Sequence, residues 1–180
     1  GQWIALGTYF DKILCGNTRA QFQMERLSHS LDDVDVVVQL LEFLPGTRTL
    51  ISVADGPQLQ VCGWDVEQRE LLFEHHLQTV SPYRSAILGK SGRLVVATAG
   101  ELIILHPQTA KIEHRLPFDG EDISAIASTA DGTLLAVGKK DRTLTLVDPR
   151  TGESQRVLLG HPGAIAKLEF FPDGRTLVAR

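Results

Sequence analysis

The residues of this chain whose types and spacing could do chemistry are few. Gly89-Lys90-Ser91 matches the end of a phosphate-binding loop, in which backbone N–H groups and a lysine cradle phosphates ahead of a helix. The glycine needed five residues before Gly89 is replaced by Arg84, and the segment runs into a strand-like stretch, so a hairpin turn is expected. His75 and His76 are adjacent and on a strand point to opposite faces, which prevents joint chelation of one metal. Asp32, Asp33 and Asp35 could begin a calcium loop, but its glycine and distal glutamate are missing, which leaves a solvated acidic loop. Cys15 and Cys62 form no CxxC pair or Cys/His cluster and are expected to fill a sheet layer as small apolar residues. No catalytic, cofactor-binding or metal-ligating residue is therefore assigned, and no cofactor is expected.

The elements that position these residues are set by an internal repeat. Leu41-Glu42-Phe43-Leu44-Pro45-Gly46-Thr47-Arg48-Thr49-Leu50 returns as Leu168-Glu169-Phe170-Phe171-Pro172-Asp173-Gly174-Arg175-Thr176-Leu177, with seven of ten residues identical and an offset of 127. That offset is close to three periods of about 42 residues, a propeller-blade spacing. Fainter copies fill the gap around Gly89-Lys90-Ser91-Gly92 and Ala130-Asp131-Gly132. The first apolar residues after the four turns are Leu50, Leu94, Leu134 and Leu177, spaced 44, 40 and 43.

Each period reads as four strands, a to d. In the second they are Val36 to Phe43, Thr49 to Val53, Leu59 to Trp64 and Glu70 to His75. Leu31, Val34, Val38 and Leu41 also fit a helical stripe, but the matching segment from Ile165 to Phe170 alternates with period two, which favours strands. The same reading gives strands b to d of a first period, three full periods and strands a and b of a fifth: seventeen strands in all. The expected organisation is one segment, 1–180, made of a partial blade (1–28), three blades (29–78, 79–118, 119–160) and a partial blade (161–180).

With 43% hydrophobic and 22% charged residues in 180, the composition is that of an ordinary globular domain. The net charge of −4, with Lys and Arg scattered, lacks the basic footprint of a nucleic-acid binder. No apolar run approaches a membrane span, and the two cysteines, with no disulfide or metal pattern, lead to the expectation of a cytoplasmic protein. The chain opens without methionine inside a strand-like run, Trp3 to Gly7, and ends inside another. It is expected to be a piece of a longer protein.

These residues carry a family resemblance. Gly160-His161 precedes a strand a, Pro172-Asp173-Gly174 forms an a–b turn, Asp141 sits in a b–c turn, and Trp64-Asp65 ends a strand c. The Trp-Asp position recurs at Gly16-Asn17, Leu105-His106 and Val147-Asp148. The chain resembles a segment of a WD-repeat β-propeller with degenerate repeats. The resemblance implies an all-β fold of four-stranded antiparallel blades, about four represented. In that family a His, a b–c Asp, a strand-b hydroxyl and a strand-c Trp can form a hydrogen-bonded tetrad. No period here holds all four, so blade order is expected to rest on apolar packing.

The function implied is a non-catalytic platform for partner proteins, with no nucleic acid and no membrane involved. Its expected face comprises Tyr9, Phe10, Asp55, Lys139 and Lys140 from b–c loops, with His76, Tyr83 and Glu121 from d–a connections; Phe118 is a further candidate aromatic anchor. The competing reading is an enzyme or ligand sensor with polar groups on a central channel. It would place such groups at the first residues of the a strands, read as Val36, Tyr83, Ile123 and Ala164, which are mostly apolar. The remaining blades are expected from the rest of the same chain. Reading the adjoining open reading frame is expected to show about three more periods, completing a ring of roughly seven blades; flanks without repeats would overturn that expectation.

Overall fold

The computed structural model describes residues 3–7, 12–17, 25–28, 37–55, 58–78, 84–98, 100–118 and 123–180. Tyr9, Phe10, Tyr83 and Glu121 lie outside them, as do Val36 and the acidic run from Asp32 to Asp35. Only the backbone is described for Cys15 and Asp55.

The chain divides into two compact units, 1–78 and 79–180. The first holds a three-stranded sheet of β1 (Trp3–Gly7), β2 (Lys12–Asn17) and β3 (Glu25–Ser28). It also holds a four-stranded sheet of β4 (Val37–Phe43), β5 (Thr49–Asp55), β6 (Leu59–Asp65) and β7 (Glu70–Leu77). The second unit holds β8 (Arg84–Leu88), β9 (Arg93–Ala97), β10 (Glu101–His106) and β11 (Lys111–Pro117) as one sheet. Next comes a sheet of β12 (Ile123–Ser128), β13 (Leu135–Lys139), β14 (Leu144–Val147) and β15 (Ser154–Leu158). The hairpin of β16 (Leu168–Phe170) and β17 (Leu177–Ala179) completes it. Every sheet is an antiparallel meander, and seventeen strands lie among the described residues. The helical alternative for Val38 and Leu41 falls, since both belong to β4.

The two copies of the ten-residue repeat fold into the same hairpin. Phe43 pairs with Leu50 and Leu41 with Ser52; Phe170 pairs with Leu177 and Leu168 with Ala179. Their turns close with equivalent backbone bonds, Leu44 N to Thr49 O (2.9 Å) and Phe171 N to Thr176 O (2.8 Å). The chemistry inside the turns differs. Asp173 accepts the N–H groups of Arg175 and Thr176, and these bonds hold its carboxyl below the ordinary range. The first copy has Gly46-Thr47 there, and the Thr47 hydroxyl bridges Leu44 O and Thr49 N instead. Strand a of the last hairpin is shorter than its alternation suggests: β16 starts at Leu168 rather than Ala164, although Ala166 and Lys167 still donate to Arg180 O.

In the second unit the first strands of successive sheets stand side by side, β8 against β12 and β12 against β16. Middle strands are buried on both faces. Leu135 and Val137 of β13 pack with Ala86, Val95, Leu102 and Ile104 of the preceding sheet. Ala136, between them, turns to Ile165, Leu168 and Phe170. Alternation across a strand thus serves two cores at once. The outer strand β15 is exposed at every position.

The c–d turns repeat as well. A register shift precedes each turn, between Gly63 and Trp64, Ile104 and Leu105, and Leu146 and Val147. Each turn ends on a left-handed residue: Arg69 (φ 64°), Ala110 (φ 51°) or Gly152 (φ 77°). A side chain in that region costs about 1–2 kcal/mol, and a β-carbon on Gly152 would sit 2.7 Å from Leu116 Cβ. Ala110→Gly is expected to raise unfolding free energy by about 1 kcal/mol, and Gly152→Ala to lower it by about 2 kcal/mol. Urea denaturation of the two variants checks both signs.

Candidate docking cleft

Antiparallel pairing puts the a–b and c–d turns of each sheet at one end and the b–c and d–a connections at the other. At the first end, the sheets β8–β11 and β12–β15 are joined through backbone groups and the Ser128 hydroxyl. Lys90 N donates to Ala130 O (2.9 Å), Gly89 N to Ser128 Oγ (3.2 Å), and Ser128 Oγ to Ile87 O (2.6 Å). The Gly-Lys-Ser segment is a single 3-10 turn, Gly89–Ser91, between two strands. Its lysine N–H is spent on the neighbouring turn, and a β-carbon on Gly89 would stand 2.5 Å from Ala130 O.

Beside this junction lies a cleft of about 240 Å3, lined by residues of both sheets. Leu88, Ile104 and Pro149 give it apolar, buried walls. Arg93, Glu113, His114 and Arg150 supply its charged and polar groups. Arg93 Nε donates to Glu113 Oε2, and this bond holds the Glu113 carboxyl below its ordinary range. Arg150 is largely exposed, with one N–H 3.4 Å from Asp148 Oδ2. None of these residues forms a sequence motif. They come from β9, β11 and a c–d turn, and only the stacking of two sheets collects them.

The residues expected at the opposite end are only partly assembled. Lys139 ends β13, with Nζ 5.8 Å from the centre of the Phe118 ring. Phe118 is buried in the core between the two sheets, which corrects its reading as an exposed anchor. Lys140 is exposed in the b–c turn, where Asp141 accepts Thr143 N (2.9 Å) and its hydroxyl (2.6 Å). His76 lies inside β7 rather than in a d–a connection, because that strand runs on to Leu77; its Nε2 is 3.1 Å from Glu74 Oε1. The a strand of the third period begins at Arg84, and its guanidinium is used to donate to Ser124 O (2.8 Å) on the next sheet.

The repeat-motif residues have turn-building roles. Asp65 accepts the N–H groups of Glu67 and Gln68 at 2.8 and 2.9 Å, and Asp148 accepts Arg150 N at 2.8 Å. His161 Nδ1 lies 2.6 Å from Gly163 O, just after Gly160 (φ 97°). Gly174 N donates to Phe171 O within the last a–b turn. Trp64 Nε1 donates to Ser52 Oγ (2.9 Å), so the strand-c indole and a strand-b hydroxyl of the tetrad do meet. Ser52 pairs across the sheet with Cys62 and Cys62 with Glu74, a polar row that sequence spacing did not expose. Among the described residues, no group of three or more His, Cys, Asp or Glu is placed to hold a metal.

No family model matches the chain. Over 135 residues, 74% of this chain, it is 27% identical to the WD repeat-containing protein SL1-17 of Schistosoma mansoni. Its fold superposes with TM-score 0.72, over 98% of its length and at 16% identity, on a chain of the crystal structure of the mitotic checkpoint complex. These sheets match the four-stranded antiparallel blades of WD-repeat propellers. Three are complete and two partial, β1–β3 and β16–β17. The chain spans 44% of the curated relative and 54% of the structural neighbour. At such identity the structural likeness concerns the fold alone.

Within the second blade, burial first and Glu74 second push the Cys62 thiol from its ordinary 9.0 to about 12. The neutral thiol is the form the fold favours, so its contribution is intact below pH 9 and lost as pH rises toward 12. Iodoacetamide at about pH 8 is expected to leave Cys62 unmodified in the native protein and to alkylate it after denaturation, read by peptide mapping. The stability difference between wild type and Cys62→Ala is expected to change along that alkaline limb; a difference that stays flat would remove the thiol from the balance.

Proposed function

We propose that this chain is a single WD-repeat segment of a non-catalytic scaffold, divided into blades at 28/29, 78/79, 118/119 and 160/161, that holds partner proteins in the cytoplasm. The observation that supports it best is the cleft at the a–b and c–d end. At about 240 Å3 it falls below the roughly 300–1,000 Å3 of pockets that enclose small ligands, and it suits one large side chain of another protein. Its walls are apolar and its rim charged, the pattern of an anchor pocket in a protein interface. Protein partners, rather than nucleic acid or membrane, also fit the net charge of −4.

The opposite end provides a second surface. There Lys140 is exposed and Lys139 stands over Phe118. Tyr9, Phe10, Asp55, His76, Tyr83 and Glu121 join them in the proposal as the partner-binding face of the b–c and d–a end. The family supports a scaffold over an enzyme, and the polar group that begins β8, Arg84, is engaged in joining blades.

Immobilised protein is expected to retain a reproducible set of proteins from an extract of its own cells. Tyr83→Ala combined with Lys140→Glu is expected to lower their recovery about tenfold, the loss of one modest hot spot. Recovery unchanged by that variant removes this face, and turnover of a substrate by the isolated propeller overturns the non-catalytic reading.

A further inference from the structure

The cleft between the third and fourth blades has a hydrogen-bonding imbalance that its walls alone do not reveal. Its carboxylates and those of its edge are already engaged. Glu113 accepts Arg93 Nε. Asp131, next to Gly132 of the lining, accepts both hydroxyls of Thr129 and Thr133 and the Thr133 N–H, at 2.6 to 3.0 Å. Asp148 accepts the N–H of Arg150 and faces its guanidinium. The Ser91 hydroxyl donates back to Leu88 O at 2.6 Å.

The donors are in the opposite condition. A guanidinium carries five N–H bonds. Arg93 commits only Nε, which leaves its two terminal amino groups uncommitted among the described residues. Arg150 commits one N–H in a long contact and is four-fifths exposed. His114, also on the lining, makes no hydrogen bond among the described residues, although it stands near enough to Glu113 to help hold that carboxyl below its ordinary range. Two guanidinium groups and an imidazole thus converge with unused N–H bonds on one apolar notch walled by Leu88, Ile104 and Pro149. Guanidinium groups pair best with planar carboxylates, in two-pronged hydrogen bonds.

We propose that this cleft seats an acidic linear segment of a partner protein, with one aliphatic or aromatic side chain entering between Leu88, Ile104 and Pro149 and flanking carboxylates on Arg93, His114 and Arg150. The proposal rests on the scaffold reading above and adds the partner's chemistry. The volume admits one large side chain, and the rim favours acidic over basic neighbours in the segment. Because the rim is solvent-exposed, its ion pairs set selectivity and the apolar anchor sets most of the affinity.

The test uses the 180-residue chain with labelled Ile methyl and Arg side-chain groups, titrated in NMR with three blocked peptides. They are Glu-Asp-Leu-Glu-Asp, Glu-Asp-Gly-Glu-Asp and Lys-Lys-Leu-Lys-Lys. The acidic leucine peptide is expected to shift Ile104 and the Arg93 and Arg150 Nε–H signals in a saturable way. The glycine and lysine peptides are each expected to bind about tenfold more weakly or worse. Arg150→Glu, a surface change that leaves the core untouched, is expected to weaken the acidic peptide by at least about tenfold and to narrow or reverse its advantage over the lysine peptide. Equal binding of acidic and basic peptides, shifts centred at Arg142 of the b–c turn instead of Ile104, or no shift up to about 5 mM peptide would overturn the inference. If Arg150→Glu leaves recovery of captured partners intact while they still bind, the scaffold reading stands and the cleft assignment falls. If no partner is captured yet the peptide binds at Ile104, the chemistry of the cleft stands and the scaffold reading falls.

Discussion

The middle strands of these sheets are apolar on both faces, and everything else in the chain follows from the need to cover both. β6, β9, β10 and β13 are buried along nearly their whole length. A four-stranded meander cannot satisfy such strands alone, because one face would always meet water. Stacking sheet on sheet removes the problem, and in the second unit β13 shows how: Leu135 and Val137 serve one interface and Ala136 the other. The tightness of that second interface is visible at Gly138, where a β-carbon would stand 2.6 Å from Ile165 Cγ2. Size is therefore constrained at each middle-strand position from two sides, as expected of a close-packed interior.

Polar groups are used sparingly and mostly to register one sheet against the next. Ser124 Oγ donates to Ile165 O, Ser128 Oγ to Ile87 O, and Arg84 Nε to Ser124 O. Each spans about one repeat in sequence, so the same hydroxyl or guanidinium that ends its own strand's requirements also fixes a neighbour. The turn carboxylates work locally. Thr129 first, then Thr133, hold Asp131 at about 2, which keeps it ionised and a strong acceptor for its turn at any physiological pH. Turns built this way are self-contained, and this leaves part of the N–H groups of Arg93 and Arg150 beside them unspent. The donor-rich rim of the cleft is a consequence of how the blades make their turns.

Some of this was legible in the residues. The ten-residue duplication, the turn residues Pro172-Asp173-Gly174 and the alternating strands were enough to place the hairpins, and Phe43–Leu50 and Phe170–Leu177 pair alike because the strand residues flanking the turns are shared, although Gly46-Thr47 and Asp173-Gly174 build the turns differently. Strand ends were less legible. β7 runs on through His76 to Leu77, and β16 starts at Leu168, because pairing with a neighbour rather than alternation decides where a strand stops. Phe118 illustrates the same limit: its position before a strand suggested an exposed ring, and packing against the next sheet buried it. Ser52 and Trp64, twelve residues apart, were each visible, but their hydrogen bond depends on β5 and β6 pairing in one register.

Sequence by itself determined the repeat, the strand order and the turn chemistry, since these depend on interactions within about ten residues and on a period of two along each strand. Tertiary structure alone decided which side chains meet between repeats. Arg93, Glu113, His114 and Arg150 carry no spacing that marks them, and their convergence exists only because the β8–β11 and β12–β15 sheets stack with their turns at one end. A local pattern can specify a hairpin; a cleft formed by two sheets requires the distance between them, which packing of both apolar faces sets.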